Sequence, residues 1–413
     1  MKVSILTLGC KANQSESHFV EARLRSKGHK IVDLEEKPDC CIINTCSVTA
    51  KSDYQSRQLI RRAARAGSRI VVTGCYSELN RGSVAGMDGV TDVVDNDSKH
   101  RIDELLDGVT SPDTSRHAAS SRSRFFLKVQ DGCNNVCSYC IIPRARGRSR
   151  SVDIQSVIEE VKRLSRVYNE IVLTGIHLGT YGYDLVPKVQ LSDMLSSILI
   201  ETSIRRVRLS SLEIGEIDEK LLELMQEDRV CNHLHIPLQS GADRILCLMK
   251  RNYTTTDFLE GIGKVLGRVR NIAIGTDMIV GFPGEGEKEF NDTVNLLASV
   301  PFAYVHVFPF SSRPGTQAAQ MGGAVGSATV KERCAVVRAL GRRKKEAFMA
   351  SQVGRTLDLL VEERGSGNTV LGTTGNYLKV KATTDTSAVR DIVPVSIAGV
   401  DGDVLVGLPI AGS

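Results

Sequence analysis

Short apolar segments alternate with helical segments along most of the chain, and this alternation limits the possible folds more than any other feature. In the first hundred residues, strand-like runs such as VSILTLGC and CIINTCSV are each followed by a helical stretch that ends at a glycine, Gly28 or Gly67. Strands and helices that alternate in this way build a parallel sheet with both faces covered. We therefore predict a parallel α/β domain over residues 1–110.

A second alternation begins after a segment rich in Ser, Gly and Arg, which we interpret as a linker over residues 111–124. About six βα units follow, and their candidate strands are RFFLKVQ, EIVLTGI, RVRLSS, HLHIPLQ, IAIGTDMIVG and YVHVFPF. Right-handed crossovers between successive units favour a (β/α)6 partial TIM barrel over residues 125–350. Short β-rich runs broken by Gly, Asn and Asp then predict a small antiparallel β-barrel over residues 351–413.

The length and composition agree with a globular protein of several domains. The chain has 413 residues, whereas single cores stop growing at about 250 to 300 residues. No apolar run reaches the roughly 20 residues that span a bilayer, and we find no secretory signal, so we predict a cytoplasmic protein without a membrane partner. The 11 cysteines are too sparse for a disulfide scaffold. In a reducing compartment, clustered cysteines favour metal binding or catalysis.

Three strands of the first domain end in a cysteine, within the tripeptides LGC, NTC and TGC. The carboxyl ends of parallel strands meet at one edge of a sheet, so Cys10, Cys46 and Cys75 can converge there. The alternative is that each is a small buried residue, as free cysteines commonly are. We interpret the cysteines that follow no such pattern as structural thiols: Cys40, Cys41, Cys231, Cys247 and Cys334.

A second cysteine cluster, GCNNVCSYC, follows the first strand of the predicted partial barrel. It contains Cys133, Cys137 and Cys140 and no fourth cysteine close by. A closed structural zinc site needs four protein ligands, so zinc does not fit. Three thiolates can hold three irons of a [4Fe–4S] cluster and leave the fourth iron open to a non-protein ligand.

The spacing and position of this cluster resemble those of the radical S-adenosylmethionine (SAM) enzymes. The resemblance implies that SAM takes the open iron and that an electron from the cluster cleaves it to a 5′-deoxyadenosyl radical. Tyr139 matches the aromatic residue that such enzymes usually place beside the adenine of SAM. Six strand-end residues are further candidates for SAM binding, although each can instead serve a turn or the core: Gly175, Ser211, Glu213, Gln239, Asp277 and Gly281. Three histidines remain ambiguous: His177, His235 and His306.

Nearly the whole chain resembles the methylthiotransferases, which are radical SAM enzymes with a second cluster. LTLGCKANQSES, INTCSVTAKSD and VTGCY match their amino-terminal domain, and HIPLQSGADRILCLMKRNYT and TDMIVGFPGE continue the match through the barrel. The carboxyl-terminal piece resembles their TRAM domain. The resemblance implies two [4Fe–4S] clusters, with the auxiliary one on Cys10, Cys46 and Cys75. It also implies two SAM molecules and a reducing electron-transfer protein as a partner.

Within that family, GCKANQSES and LTGIHLGTYG are similar to the branch that methylthiolates N6-threonylcarbamoyladenosine at tRNA position 37, in the anticodon stem-loop. The isopentenyladenosine branch usually has Gln-Asn where Ile176 and His177 stand. The branch that modifies a ribosomal protein typically has a Pro-containing loop after its first cysteine. Two alternatives stay open: a methylthiotransferase for one of these other substrates, and a non-catalytic iron–sulfur RNA-binding protein.

Basic residues are concentrated in two segments of a chain whose net charge is only +5. Eight Lys or Arg face one acid between Arg116 and Arg150, and seven face one acid between Lys331 and Lys345. Such clusters suggest a polyanion, here tRNA, although solvated surfaces would look the same. The candidate RNA-binding residues are Arg144, which stands where relatives usually have an aromatic residue, Arg146, Arg148, Arg150, Arg342 and Arg343. The TRAM-like piece has no basic excess, so its RNA role rests on resemblance alone.

Overall fold

The structure, a computed structural model of the chain, describes residues 1–107, 122–384 and 388–410. The predicted linker, residues 111–124, lies outside the described residues as far as position 121. Within the described ranges, no helix is both long enough and apolar enough to cross a membrane. The elements form three units in chain order, which agrees with the predicted fold class.

The amino-terminal unit is built on five parallel strands in the spatial order β2-β1-β3-β4-β5. The strands are β1 (Lys2–Thr7), β2 (Lys30–Ile31), β3 (Cys40–Thr45), β4 (Arg69–Gly74) and β5 (Val90–Val93). The helices are α1 (Lys11–Ser26), α2 (Ala50–Arg65), α3 (Cys75–Leu79), α4 (Arg81–Ala85) and α5 (Ile102–Asp107). Successive residues of β3 point to opposite faces, so Ile42 packs with Leu24 of α1 and Ile43 with Ile60 of α2. The predicted parallel α/β sheet is confirmed.

The central unit places six parallel strands in chain order around a partial barrel, as predicted. These are β6 (Phe125–Lys128), β9 (Glu170–Thr174), β10 (Arg206–Leu209), β11 (His233–His235), β12 (Ala273–Val280) and β13 (Tyr304–Pro309). They form two three-stranded sheets, which are joined by a hydrogen bond from Leu212 N to His235 O at 3.0 Å. A large apolar core lies between these strands and the outer helices.

The helices of the central unit cover the outside of the strands, apart from α6. They are α6 (Ile142–Arg146), α7 (Ile154–Leu164), α8 (Leu191–Glu201), α9 (Glu219–Leu224), α10 (Asp243–Leu248), α11 (Thr255–Arg268), α12 (Glu287–Ser299) and α13 (Ser327–Ala350). The second cysteine cluster and α6 lie between two short antiparallel strands, β7 (Gln130–Asp131) and β8 (Arg150–Ser151). This pair closes the base of the cysteine loop.

The carboxyl-terminal unit is a small closed barrel with the strand order β14-β15-β16-β18-β17. Its strands are β14 (Thr356–Arg364), β15 (Thr369–Thr374), β16 (Lys379–Thr383), β17 (Ile392–Asp401) and β18 (Val404–Pro409). All neighbours are antiparallel except β16 and β18, which close the barrel in parallel. Apolar side chains such as Leu359, Val380 and Leu405 fill its interior.

Buried charges attach this small barrel to the amino-terminal ends of the central strands. Arg208 of β10 donates hydrogen bonds to Gly375 O at 2.8 Å and to Thr374 O at 2.9 Å. Arg206 donates to Thr373 O at 3.0 Å. Both guanidiniums also pair with Glu170, which is fully buried. The small barrel therefore covers one end of the partial barrel and leaves the other end, where the cysteines lie, to the amino-terminal unit.

Candidate active site

The strand-end cysteines of the amino-terminal unit lie together at the carboxyl edge of its sheet. Cys46 and Cys75 directly follow β3 and β4, and Cys10 lies three residues after β1, the neighbour of β3. Burial raises the pKa of Cys46, and thiolates at Cys10 and Cys75 would raise it further, which requires the three side chains to be close. Cys10 is exposed, whereas the other two are buried. The fold thus brings these thiols to one place, with Cys10 facing outward.

Two glycines with left-handed backbone allow the three cysteine loops to approach one another. Gly9 has a φ of +104°, and a Cβ at this position would lie 2.9 Å from Cys46 Sγ. Gly74 has a φ of +100°, and a Cβ there would lie 2.6 Å from Thr45 N. Real Cβ atoms do not make contacts under 3.0 Å. A side chain at either position would therefore force the loops apart.

The donor atoms at this edge fit an iron–sulfur cluster. Burial raises the pKa of Cys75 as well as that of Cys46, so burial favours the neutral thiol at both positions. A bound metal cluster supplies the positive charge that thiolates need. Arg146 favours the same ionised state, because its Nε donates to Cys75 Sγ at 3.2 Å. The role of these three residues as cluster ligands stays a prediction that their chemistry supports.

The second cysteine set, Cys133, Cys137 and Cys140, lies on a loop whose backbone is held from two sides. Cys133 N donates to Gly147 O at 3.1 Å, and Ser138 N donates to Met249 O at 3.1 Å. The Ser138 hydroxyl donates to Leu248 O at 2.7 Å. All three thiols of the loop are partly exposed. They are therefore held in place yet accessible to a cluster.

The electrostatic surroundings of this loop also fit a metal cluster. Burial raises the pKa of Cys140 to about 12; thiolates at Cys137 and Cys133 act in the same direction, and a backbone hydrogen bond from Ile142 opposes them. Burial raises the pKa of Cys137 too, but the guanidinium of Arg251 opposes this shift and donates to Cys137 Sγ at 3.3 Å. Arg251 was not predicted from the sequence, because it stands beside Lys250 in the segment LMKRNYT and no spacing or motif distinguishes it from its basic neighbour.

Glu213, a predicted SAM-binding residue, is connected to this cysteine loop by polar contacts. Its Oε1 lies 2.8 Å from Arg251 Nη2 and accepts a hydrogen bond from Asn135 Nδ2 at 3.3 Å. Asn135 N in turn donates to Cys133 Sγ at 3.4 Å. One carboxylate oxygen is thus occupied by the protein, and its contact with SAM stays a prediction.

His177, which was ambiguous from the sequence, lies beside the second cysteine set. Its Nδ1 is 3.6 Å from Cys133 Sγ, and its Nε2 is paired with Glu216. Burial lowers the pKa of this imidazole, but the hydrogen bonds with Cys133 and Glu216 outweigh burial and raise it to about 10. His177 therefore links Cys133 of the cysteine loop to Glu216.

Three other residues predicted to contact SAM lie around the same end of the barrel in different surroundings. The ring of Tyr139 packs edge-on against Phe282, with the ring centroids 6.5 Å apart. Ser211 is exposed just after β10. Gln239 has a φ of +67°, and its N donates to Asp277 O at 2.8 Å. Their SAM contacts stay predictions.

The two strand-end glycines have close neighbours within the protein. A Cβ at Gly175 would lie 2.7 Å from Gln130 Oε1, and a Cβ at Gly281 would overlap Val330 of α13. Packing alone therefore requires glycine at both positions. Close approach of SAM is a separate expectation that this packing does not test.

Asp277 is held inside the partial barrel by the other two ambiguous histidines. Its Oδ1 lies 2.9 Å from His235 Nε2 and 3.1 Å from His306 Nδ1. Burial opposes ionisation, but the hydrogen bonds from these imidazoles hold the pKa of Asp277 below its ordinary value. The side chain of His306 is 56% exposed, so this trio borders an open space and is not sealed in the core.

Arg146 was predicted to bind RNA, but the structure encloses it between the first two units. It is 2% exposed, and its Nη1 donates to Glu16 Oε1 at 2.8 Å and to Asp131 Oδ1 at 2.9 Å. Glu16 is also paired with Lys99 at 2.6 Å and with Lys128 at 2.7 Å. A guanidinium buried among these partners cannot neutralise a phosphate, so the prediction for Arg146 is wrong.

The other predicted RNA-binding residues are at the surface. Arg148, Arg342 and Arg343 are exposed. Arg150 is exposed and lies 2.9 Å from Asp97. Arg144 is exposed, with its guanidinium against the backbone of Gly315. These guanidiniums are accessible to a phosphate, and the RNA contacts stay predictions.

Helix α6 connects the two cysteine sets. It begins two residues after Cys140 and ends at Arg146, whose Nε reaches Cys75 Sγ. Five helical residues extend about 8 Å, so both sets border the same region. On the other side of that region, the loop after β13 contacts the loop after Cys46, because Arg313 Nη2 donates to Ser47 Oγ at 2.8 Å.

Comparisons with known proteins agree with this arrangement. Residues 127–297 match the model of the radical SAM superfamily, and residues 2–95 match uncharacterized protein family UPF0004. A threonylcarbamoyladenosine tRNA methylthiotransferase MtaB of Aquifex aeolicus is 36% identical over 404 residues, which cover 92% of this chain and 96% of that protein. A tRNA-2-methylthio-N(6)-dimethylallyladenosine synthase of Pelotomaculum thermopropionicum is 30% identical and covers 96% and 95%.

The fold is shared with a solved radical SAM enzyme of low sequence similarity. The structure of the methyltransferase TsrM from Kitasatospora setae, with cobalamin and a [4Fe–4S] cluster bound, superposes with a TM-score of 0.58 at 14% identity. The match covers 77% of this chain and 76% of TsrM. Because relatives of 30 to 36% identity match over more than nine-tenths of both chains, the chain belongs to the radical SAM methylthiotransferase family.

Proposed function

We propose that this chain is a tRNA methylthiotransferase that converts N6-threonylcarbamoyladenosine at position 37 into its 2-methylthio derivative. The observation that carries the proposal is the pair of three-cysteine sets at the two ends of α6, because a base between them would reach both. Relatives named for this activity are 33 to 36% identical. Those named for dimethylallyladenosine are 30% identical, which favours the threonylcarbamoyl substrate.

The residues of the chain have distinct roles in this proposal. Cys133, Cys137 and Cys140 would hold the cluster that binds SAM, and Cys10, Cys46 and Cys75 would hold the auxiliary cluster. When bound, these groups supply the one-electron chemistry that an aromatic C–H bond requires and the sulfur that replaces its hydrogen. Arg251 and Arg146 each donate to one cysteine thiolate, and Glu213 holds Arg251 in place. The amino-terminal unit would exclude water by covering the carboxyl end of the barrel.

The partners follow from this reaction. The substrate is the anticodon stem-loop of a tRNA, which would be met in the cytoplasm. Cleavage of SAM needs an electron, so we propose a reducing electron-transfer protein as a second partner. The exposed arginines at positions 144, 148, 150, 342 and 343 are the proposed phosphate contacts.

The product in cells tests the substrate. We expect tRNA nucleosides from a strain without this gene to lack 2-methylthio-N6-threonylcarbamoyladenosine in mass spectrometry, and a plasmid copy to restore it. Cys10→Ala and Cys133→Ala should not restore it, whereas Cys247→Ala should, because Cys247 is exposed and belongs to neither set. If the nucleoside persists in the deletion strain and no other enzyme makes it, the substrate assignment is refuted. Loss of methylthio-isopentenyladenosine instead would support the first alternative.

Iron analysis separates the enzyme from a non-catalytic iron–sulfur protein. After anaerobic reconstitution we expect about eight irons per chain, because each [4Fe–4S] cluster contains four. Replacing Cys10, Cys46 and Cys75 with Ala should leave about four. A wild-type value near four that this triple variant does not change would contradict the auxiliary site. Absence of SAM cleavage under strong reduction would contradict the assignment of the chain as a radical SAM enzyme.

The salt dependence of RNA binding tests the proposed phosphate contacts. The slope of log K against log salt is negative, and each lost phosphate contact reduces its magnitude by about one. Arg342→Gln with Arg343→Gln should therefore reduce the magnitude of the slope by about two. Lys264→Gln is the control, because Lys264 is exposed on α11 and outside both basic clusters. Equal slopes for the double variant and the wild type would rule out contacts at these arginines.

A further inference from the structure

Lys11 directly follows Cys10 and begins helix α1, but its side chain leaves the amino-terminal unit. Its ammonium lies 5.8 Å from the centre of the Tyr377 ring, which belongs to the small carboxyl-terminal barrel. The charged groups that influence it most lie on strands of the central unit or, for Arg124, directly before the first of them: Arg208, Arg124, Glu170 and Asp277. Lys11 therefore reaches from the auxiliary cysteine edge into the interior of the partial barrel.

The ammonium of Lys11 has no hydrogen bond and no ion pair with any described residue. The two acids in its surroundings are already engaged. Glu170 is paired with Arg206 at 2.6 Å and with Arg208 at 3.0 Å. Asp277 is paired with two histidines. A partly buried cation without an anionic partner is costly, so this position favours an incoming anion.

A row of aromatic rings connects the surroundings of Lys11 with the carboxyl end of the barrel. On β13, His306 and Phe308 have the two-residue spacing of one strand face and are both exposed, and the ring of His306 lies 5.1 Å from that of Tyr304. Tyr304 is in turn 5.9 Å from Tyr377. Contacting aromatic rings thus extend from exposed residues of β13 to Tyr377, the ring beside which the ammonium lies.

We propose that Lys11 binds the carboxylate of the threonylcarbamoyl group, and so selects this substrate over adenosines with an uncharged N6 substituent. This inference rests on the proposed function. The threonyl part ends in a carboxylate, and an ammonium inside the barrel would bind it by a charge-assisted hydrogen bond. A dimethylallyl group is apolar, would leave the charge unpaired, and would be rejected for that reason.

Binding of modified RNA tests the proposal without catalysis. The ligands are anticodon stem-loops of one sequence that carry N6-threonylcarbamoyladenosine, its methyl ester, or N6-dimethylallyladenosine at position 37. Fluorescence anisotropy measures their affinity for the anaerobically reconstituted protein at one salt concentration. We expect the wild type to bind the acid at least about tenfold more tightly than the ester, the size of a hydrogen bond to a charged group.

Two variants identify the residue that is responsible. Lys11→Met keeps the length of the side chain without its charge, and it should bind the acid and the ester within about twofold. Its affinity for the ester should equal that of the wild type. Lys51→Met is the matched control, because Lys51 lies in the first turn of α2 near the second cysteine of the auxiliary set and is exposed. It should keep the full preference for the acid.

The outcomes separate this inference from the proposed function. Equal binding of acid and ester by the wild type would overturn the role of Lys11, and this measurement needs no variant. A preference that survives in Lys11→Met with full iron content would overturn it as well. If the wild type forms the methylthio product from the acid RNA while either result holds, the proposed function stands and the inference alone fails. If no methylthio product forms from that RNA, the proposed function itself fails.

Discussion

Replacement of Arg146 by Met should destabilise the contact between the amino-terminal unit and the central unit. The change removes two hydrogen bonds to Glu16, at 2.8 and 3.2 Å, one to Asp131 at 2.9 Å, one to Cys75 Sγ at 3.2 Å and one to Asn13 Oδ1. Removing one partner of a buried ion pair costs about 3 to 5 kcal/mol of unfolding free energy. Glu16 keeps Lys99, and Asp131 keeps a lysine partner of its own. The expected loss is therefore about 3 kcal/mol, the lower end of that range.

Urea unfolding of the reduced chain without clusters measures this loss. The chain has no Trp, so far-UV circular dichroism is the suitable signal. Arg148→Met is the matched control, because Arg148 is exposed two positions further along. It should change the free energy of unfolding by no more than about 0.5 kcal/mol. If Arg146→Met also stays within that limit, the network does not stabilise the fold as the structure indicates.

A double-mutant cycle tests whether the charges act together. In a Glu16→Gln background, Arg146 has already lost its main anionic partner. Arg146→Met should therefore lower the free energy of unfolding by at least about 1 kcal/mol less there than it does in the wild type. Additive free energies would mean that the two side chains are not coupled. The single variant Arg146→Met should also bind less iron at the auxiliary set after reconstitution, because Cys75 loses its cationic donor.

Burial lowers the pKa of His18 to about 4. In the unfolded chain the imidazole is protonated below about pH 6.5. The free energy of unfolding should therefore fall by about 1.4 kcal/mol per pH unit as the pH drops between these two values. In urea unfolding, His18→Phe should remove this pH dependence, and His100→Phe, at an exposed position, should keep it. Gly74→Ala should lose iron from the auxiliary set, because a Cβ there would force the cysteine loops apart. Gly67→Ala should keep it, since Gly67 also has a positive φ but has nothing within 4 Å of a Cβ. Equal iron retention by the two variants would refute this steric argument. Arg251→Met should weaken iron binding at the second set about tenfold or more in chelator competition, and unchanged affinity would contradict its role.

The convergence of the cysteines could be predicted because it follows from chain topology. Cys46 and Cys75 come directly after strands, and parallel strands end at one edge of a sheet. The spacing of Cys133 to Cys140 lies within a single loop, so its chemistry is visible in eight consecutive residues. Both predictions could therefore be made without information on which distant segments pack together.

The role of Arg146 could not be predicted for the opposite reason. It stands among alternating arginines, and its acidic partner Glu16 is 130 residues earlier in the chain. Arg206 and Arg208 are a weak indication of a charged contact in the sequence, since two charges at alternate positions of a short strand share one face. That face turned out to receive the small carboxyl-terminal barrel. Long-range charge pairing leaves little pattern in a single sequence.

The charged interface between the first two units suits a reaction that needs two cofactors at a fixed separation. An apolar surface has no directional contacts, so the units could slide by small distances at little cost in free energy. Arg146 instead donates to Glu16 and Cys75 of one unit and to Asp131 of the other, and each hydrogen bond has a limited range of distance and angle. Because α6 also carries the chain from Cys140 to Arg146, a shift of either unit would break these bonds before it separated the two cysteine sets.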